Sequence, residues 1–595
     1  MRFGIFYEHQ LPRPWELGDE GRLLTDALEQ VELADRVGFD VVWEVEHHFL
    51  EEYSHSSAPE VFLGAASQRT KRIRLGHGIV QLPPGYNHPA RVAERVATLD
   101  LVSGGRVEFG TGESSSQAEL GGFGVSRDDK RAQWEESLDA ITRMFVEEPF
   151  AGYEGRWLRM PPRNVVPKPA QRPHPPLWVA CSRRETILEA ARRGIGALSF
   201  SFVEPEQAKE WADEYYRIVE SDECVPAGFA VNANVAVVVP FMLHRDEETA
   251  IERGIDGAHF FGYSLTHYYV FGRHLPGRTN VWEEFEANRR EMGFARELVQ
   301  PGGAPLGVNL LQEGLGSMRG AIGTPGQVRD LVRRYEAAGI DQVIFVSQAG
   351  RNRHDHVCES FELFAAEVLP EFAEHADERD RVRRERLADA SARSLARRAP
   401  AREAGDYEIA PMDEPRAAPA MVPAGSSDAG DESSRAADAL HAASARMRTR
   451  VAAARAAFER RAVAFLASRT DRQLERILLS GPGLTQIMRG TERSYRPEQR
   501  LGFTGFIQYE LSPEEPGRDG RAFAVRVTAD GASAREARMA NPALTLRMTA
   551  VTFGRILTGQ LEPGHAFMQG RIAMEGDVAL ALRLGDLFGA RTGSA

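Results

Sequence analysis

Three consecutive side chains, Glu46, His47 and His48, follow a short apolar run at residues 41–45. An imidazole near neutral pKa gives or takes protons, and an adjacent carboxylate can orient it. Neighbours on an extended chain point to opposite faces, so at most one of His47 and His48 faces a common site. A lone histidine is more often a helix cap or a satisfied core residue. The cluster gains weight from its place, because parallel strand–helix repeats meet their ligands at the carboxyl ends of strands.

Three further strand ends carry unusual residues. Residues 73–79 read as a strand running into Gly76-His-Gly-Ile-Val-Gln-Leu-Pro-Pro84, where Gly78 gives the backbone freedom to lie against a flat ring. Residues 106–110 lead into Gly110-Thr-Gly112-Glu113 and the serines 114–116. Small residues admit backbone contact with a ligand and hydroxyls donate to phosphate, although the stretch is not a full dinucleotide fingerprint. Residues 177–180 end in Cys181-Ser182-Arg183-Arg184-Glu185-Thr186, which opens a helix. Ser182, Arg183 and Thr186 there suit a phosphate cradle and an ordinary helix cap equally well.

Positioning these groups requires a repeating scaffold. Short apolar runs at residues 3–6, 41–45, 73–79, 106–110, 177–180, 197–200, 231–239 and 342–346 alternate with helical periodicity, for example at 23–37, 89–101, 131–146 and 187–193. About eight strands with intervening helices predict an α/β fold, a (β/α)8 TIM barrel over residues 1–372 with an insertion near 254–312. An open doubly wound sheet satisfies the same pattern. The insertion is aromatic, including Phe260, Phe261, Tyr268 and Tyr269. Residues 373–445 are charge-dense and then rich in Ala, Pro, Gly and Ser, which reads as a linker. Residues 446–592 read as a separate small α+β domain: helix over 474–488, strands at 505–511, 522–527 and 541–547, and a final helical pair bracketing 559–564 and 570–576.

Composition narrows the function classes. Hydrophobic content of 42%, charged content of 27% and a formal net charge of −13 suit a globular protein and argue against a nucleic-acid coat. No apolar run reaches membrane-spanning length, and residues 1–7 lack a signal peptide's apolar core, so a cytoplasmic location is expected. Three scattered cysteines offer no metal-binding pattern.

Taken in order, Gly-Phe-Asp-x-x-Trp-x-x-Glu-His-His-Phe (38–49), Leu75-Gly through Pro83 to His88-Pro89, Thr98-Leu-Asp-x-x-Ser-Gly-Gly-Arg106 with Gly110, Ile322-Gly-Thr-Pro-Gly-Gln-Val328 and Ala338-Gly-Ile-Asp-Gln-Val343 resemble the bacterial luciferase-like flavin monooxygenases. The resemblance implies a TIM barrel binding reduced FMN, or in relatives F420, with its phosphate at the strand-five region. It implies that His47 occupies the place of the family's catalytic base. It also implies a non-proline cis peptide at Gly78-Ile79 beneath the flavin ring, a separate flavin reductase and a homodimer. The family's cysteine and arginine after strand four are here Gly112 and Glu113, which leaves Arg183 or Arg184 to compensate and implies no light emission. The stretch from Asn541-Pro-Ala-Leu-Thr-Leu through Leu557-Thr-Gly-Gln-Leu-Glu-Pro-Gly-His-Ala-Phe-Met-Gln-Gly-Arg-Ile572 to Met574-Glu-Gly-Asp577 resembles sterol carrier protein 2-like domains and implies a lipid or fatty acyl ligand.

The function expected from these resemblances is oxygenation, with O2 and reduced FMN, of an apolar substrate such as a long-chain aldehyde or ketone. Phe260, Phe261, Tyr268 and Tyr269 would wall the substrate site. F420-dependent hydride transfer and a non-catalytic flavin- or lipid-binding protein are the alternatives.

Overall fold

The computed structural model describes residues 1–199, 204–290, 319–409, 466–480, 503–514, 520–528, 531–540, 542–561 and 570–576, with isolated residues between these runs. The chain divides into two units, Met1–Tyr407 and Glu408–Ala595.

In the first unit, β1 (Arg2–Tyr7), α1 (Asp19–Val37), β2 (Val41–Glu44), α2 (Pro59–Arg69), β3 (Arg74–His77), β4 (Val80–Gln81), α3 (Pro89–Val102), β5 (Val107–Gly112), α4 (Gln117–Gly122) and α5 (Lys130–Val146) come first. A small hairpin, β6 (Tyr153–Glu154) and β7 (Arg159–Met160), precedes β8 (Leu177–Cys181), α6 (Arg184–Arg192), β9 (Gly196–Ser199), α7 (Pro205–Glu220) and β10 (Val235–Leu243). The unit continues with α8 (Glu247–Thr266), α9 (Val281–Asn288), β11 (Ala321–Gly323), α10 (Pro325–Ala337), β12 (Gln342–Gln348), α11 (His354–Glu367) and α12 (Leu369–Arg397). Strands β1, β2, β3, β5, β8, β9, β10 and β12 pair in parallel, and the β9–β10 and β12–β1 pairings close the barrel. The eight-strand expectation holds, and closure excludes the open sheet.

Local sequence accounts for the helix ends. Gly38, at φ 107°, ends α1 by giving its N–H to Ala34 at 3.0 Å, a conformation that costs glycine little. Pro89 occupies the first turn of α3, where its missing N–H is not needed. Inside the barrel, Trp43 and Trp178 meet edge to face at 5.3 Å. A Cβ on Gly76 would fall 2.4 Å from the Trp43 ring, and one on Gly196 would fall 2.3 Å from the Trp178 ring. Two large rings therefore fill the interior because the strand beside each, β3 next to β2 and β9 next to β8, carries no side chain there. Outside, Phe3, Phe345, Phe364 and Phe372 pack strands against α11 and α12.

The barrel unit extends past the boundary expected at residue 372. The charge-dense segment is a 29-residue helix, α12, rather than linker. Its apolar positions Phe372, Ala376, Leu387 and Ala390 are buried, and its charges find partners on the barrel. Arg2 bonds both Asp377 and Asp380, and Arg383 bonds Asp341. Arg397 then donates to the Cys224 carbonyl at 2.8 Å, and Arg163 stacks on Tyr407 at 5.5 Å. A sequence that reads as solvated charge is docked because Asp377 and Asp380, three residues apart on one helix face, share Arg2, and Arg383, three residues further, meets Asp341.

In the second unit, α13 (Asp471–Leu479) and α14 (Ala550–Leu557) pack on a sheet of β13 (Gly505–Ser512), β14 (Arg521–Val527), β15 (Ala532–Glu536), β16 (Leu544–Thr549) and β17 (Ile572–Gly576). The order is β15-β14-β13-β16-β17, antiparallel except for β13–β16. Leu474, Leu478, Ile507, Val525 and Leu544 are fully buried in its core. Residues 572–576, expected beside a closing helical pair, form an edge strand on β16. Of the helix expected over 474–488, residues 481–483 and 485–488 lie outside the described residues.

A Cβ on Gly110 would stand 1.9 Å from the His77 carbonyl oxygen, a backbone atom that cannot rotate away. Gly110→Ala is expected to destabilise the barrel by about 2 kcal/mol or more, read as a lowered thermal midpoint. An unchanged midpoint would show that β3 and β5 are not held this close.

Candidate active site

The strand ends of the barrel bring together a buried acidic cluster around one imidazole. Glu8 follows β1 directly, His47 lies three residues beyond β2, and Glu119 is on α4, the short helix after β5. His47 Nδ1 lies 3.0 Å from Glu119 Oε1, and Nε2 lies 3.6 Å from Glu8 Oε2. The Tyr53 hydroxyl donates to Glu8 Oε1 at 2.9 Å, and the Tyr269 hydroxyl stands 3.4 Å from His47 Nδ1. The His47 backbone N–H, given to Ser56 at 2.8 Å, fixes the ring's base.

Glu119 is the hub of this cluster. It also accepts the His48 backbone N–H at 3.0 Å, the Gln81 amide at 2.8 Å and the Ser114 hydroxyl at 2.7 Å. Burial works against its charge, yet His47 and these donors hold its carboxyl below the usual range. Burial likewise opposes a charge on His47, but Glu119 and Glu8 outweigh it and raise the imidazole to about 9. Burial pushes the Glu8 carboxyl up to about 7 against the pull of His47 and Tyr53. Both phenols are driven well above 10, first by burial and then by the carboxylates, so they remain hydroxyl donors.

The Glu-His-His run divides as strand alternation requires. His47 enters the cluster, whereas His48 Nε2 turns to Glu46 Oε1 at 3.2 Å and its ring packs edge-on against Phe123. Glu46 also accepts from the Gln81 backbone at 2.7 Å and from Asn87 at 2.8 Å. Glu46 and His48, expected beside His47 as catalytic groups, tie the end of β2 to the loop before α3. Glu8, Glu119 and Tyr53 escape sequence inspection, since each is an isolated residue in an ordinary local context.

The expected cofactor residues also sort themselves. Among the described residues every cis peptide bond precedes a proline, so the expected cis bond at Gly78-Ile79 is absent. Gly78 instead gives its N–H to the Glu44 carbonyl at 2.7 Å. Chain packing alone requires glycine at 110 and 112, because Cβ atoms there would meet His77 O and Ile79, the latter at 2.5 Å. Glu113 is engaged by Lys130 at 3.4 Å. Lys130 also reaches the Ser114 carbonyl and the Ser115 hydroxyl, the latter at 3.3 Å. Burial lowers its ammonium, Glu113 opposes that, and Arg127 and Arg183 lie close enough to lower it further. Ser182 and Arg183 are exposed at the N-terminus of α6, where the Thr186 hydroxyl donates to the Arg183 carbonyl at 2.7 Å and accepts the Arg183 N–H at 3.3 Å. Three cations, serine hydroxyls and a helix start form a donor set suited to a phosphate monoester. Lys130, the first residue of α5, places its ammonium beside the serines that follow β5.

The aromatic insertion faces the cluster only in part. Phe261 packs on Tyr53 at 5.8 Å, and Tyr269 lies 6.3 Å from the His47 ring. Tyr268 packs at a tilt against His274 at 4.9 Å and touches the edge of the cluster through Tyr53. Phe260 is corrected: it is fully buried between α8 and α9 against Trp282 and Phe285, because it lies on the face of α8 turned to that helix.

The luciferase-like monooxygenase profile matches residues 1–342. The chain belongs to that family. The SCP-2 sterol transfer family profile matches residues 484–589. The 4-hydroxyprotoasukamycin monooxygenase of Streptomyces nodosus subsp. asukaensis is 33% identical over 202 residues, 34% of this chain and 53% of that one. The oxygenase component of a flavin-dependent trigonelline monooxygenase from Acinetobacter baylyi is 30% identical over 184 residues, 30% of this chain and 49% of that one. The chain spans about half the length of the curated relatives it matches first, from 48% to 54%. The crystal structure of monooxygenase RslO1 from Streptomyces bottropensis is similar at 26% identity and a TM-score of 0.49, covering 62% of this chain and 100% of that one. No helix among the described residues is long and apolar enough to cross a membrane.

A group whose folded pKa lies above its unfolded value stabilises the fold below the unfolded pKa and ceases to do so above the folded one. For His47 that window runs from 6.5 to about 9. The stability advantage of wild type over His47→Gln, measured by urea unfolding, is therefore expected to be largest below pH 6.5. It should shrink by about 1–3 kcal/mol as the pH approaches 9. A pH-independent difference would mean that His47 carries no extra charge in the fold.

Proposed function

We propose that this protein is a flavin-dependent monooxygenase that receives reduced FMN from a separate reductase and uses O2 to oxygenate an organic substrate. An apolar molecule such as a long-chain aldehyde or ketone is the substrate class proposed. The observation that carries the reading is the pairing, at the strand ends of one barrel, of a cation-and-hydroxyl cradle with a buried imidazole held among carboxylates and phenols. Lys130, Arg127 and Arg183, with Ser115 and Ser182, would hold the FMN phosphate, and the Gly78-Ile79 backbone would lie against its ring. Bound reduced FMN would supply the electrons for O2 activation. His47 manages a proton beside it, with Glu119 fixing the ring through Nδ1. Phe261 and Tyr269, with Tyr53, line that place with aromatic surface and exclude water. The name of the trigonelline relative, an oxygenase component, supports a partner reductase. The C-terminal unit would bind a lipid or fatty acyl ligand and raise the local concentration of apolar substrate through its tether.

The test is a fluorescence titration of the purified protein with FMN and with F420, reduced and oxidised, repeated on Lys130→Ala. Reduced FMN is expected to bind more tightly than F420. Removing the ammonium is expected to weaken FMN by roughly 10-fold or more, the worth of one charge-assisted hydrogen bond. Preference for F420 would move the assignment to hydride transfer, and binding of neither would leave a non-catalytic lipid-binding role. FMN affinity unchanged in Lys130→Ala would remove Lys130 from the cradle.

A further inference from the structure

We propose that Glu8 is a positioning residue for His47: it holds the imidazole doubly protonated between two carboxylates, so that His47 delivers a proton to the reacting molecule rather than taking one. This rests on the proposed reading that His47 stands beside the reacting centre.

The argument is geometric. A neutral imidazole has one N–H donor and one acceptor nitrogen, whereas the imidazolium has two donors. Here each ring nitrogen faces a carboxylate oxygen, Glu119 Oε1 at 3.0 Å from Nδ1 and Glu8 Oε2 at 3.6 Å from Nε2. A neutral ring would turn a lone pair toward one of the two anions, and only the charged ring satisfies both. Glu8 has a built place: it is 3% exposed, its Oε1 takes the Tyr53 hydroxyl, and its buried Oε2 has no hydrogen-bond donor of its own. That oxygen is aimed at the His47 ring and is otherwise unused.

The two ring contacts are unequal, which selects the proton that moves. Nδ1–H is held by a short hydrogen bond to Glu119, so it stays. The Nε2–H bond, facing Glu8 without a hydrogen bond, breaks, and its proton passes to a basic oxygen of the reacting molecule. The ring is left neutral with Nδ1–H on Glu119. With the ring neutral, Glu8, whose carboxyl burial lifts to about 7, takes a proton from water and passes it to Nε2, which restores both the imidazolium and the Glu8 carboxylate. The charged and titratable groups facing His47 are Glu119, Glu8 and Glu46, with Tyr269 beside Nδ1; those facing Glu8 are His47, Tyr53, Glu119 and Glu44. The surroundings of the pair are acidic, and they favour the imidazolium.

The experiment follows the His47 ring by NMR of the full chain labelled at histidine, assigned by difference against a His47 variant. Wild type, Glu8→Gln, Glu8→Asp and Tyr53→Phe are titrated from pH 5 to 10. Wild-type His47 is expected to remain doubly protonated through neutral pH. Glu8→Gln is expected to lower its midpoint by about 1 unit or more, the usual effect of removing an opposite charge this close, with Glu8→Asp restoring most of it. Tyr53→Phe, which deprives Glu8 of its hydroxyl donor, is expected to shift the midpoint in the same direction by less, and it carries the test if Glu8→Gln does not fold. A wild-type midpoint below 7, or midpoints unchanged in both variants, would overturn the proposal. FMN titration of the same proteins keeps the two readings apart. Normal FMN binding with an unmoved His47 sinks only the role of Glu8. A moved His47 without FMN binding in wild type supports that role and sinks the flavin assignment.

Discussion

Two carboxylates buried a few ångströms apart cannot both stay ionised without a cation between them, and in this barrel His47 is that cation. Removing a carboxylate from water costs several kcal/mol, recovered only by close opposite charge and by hydrogen bonds that fill the remaining lone pairs. Glu119 takes donors besides the imidazole, namely Gln81, Ser114 and the His48 backbone, which is why it remains ionised. Glu8 has fewer donors and is pushed up instead. The unequal environments give neighbouring acids different proton affinities, the usual physical basis for dividing acid and base duties in one site.

Holding that cluster requires three strand ends and a helix in register. Small residues make this possible: Gly76 and Gly196 leave room for Trp43 and Trp178, and Gly110 lets the His77 carbonyl approach β5. With the interior filled by two indoles, the closed barrel is a packed core that keeps its strand ends in place. The chemistry is confined to the carboxyl-terminal rim, where chain leaving the strands carries Glu8, His47 and Ser114.

The second unit joins a different physical solution to the same chain. Its sheet and two helices bury a leucine- and valine-rich core, and its family likeness is to sterol transfer proteins. Between the barrel's last strand and this unit, α12 and the residues through Tyr407 are committed to the barrel by ion pairs and by arginine–carbonyl bonds.

Composition and periodicity determined the alternation of strands and helices, the division into a barrel-like part and a small α+β part, and a chemistry-bearing stretch at His47. These are local properties, set by side-chain period and by turn and cap residues, and they are written within ten or twenty neighbours. The partners of His47 are not local: Glu8 lies 39 residues before it and Glu119 lies 72 after it. Only barrel closure carries them to one point. The same holds for Lys130, which is an unremarked first residue of a helix until β5 and α6 bring Ser115 and Arg183 alongside. Conversely, Phe260 looked functional by type and spacing, and tertiary packing turned it to structural work. Residue type sets what a side chain can do, and distance in the fold decides which of them meet.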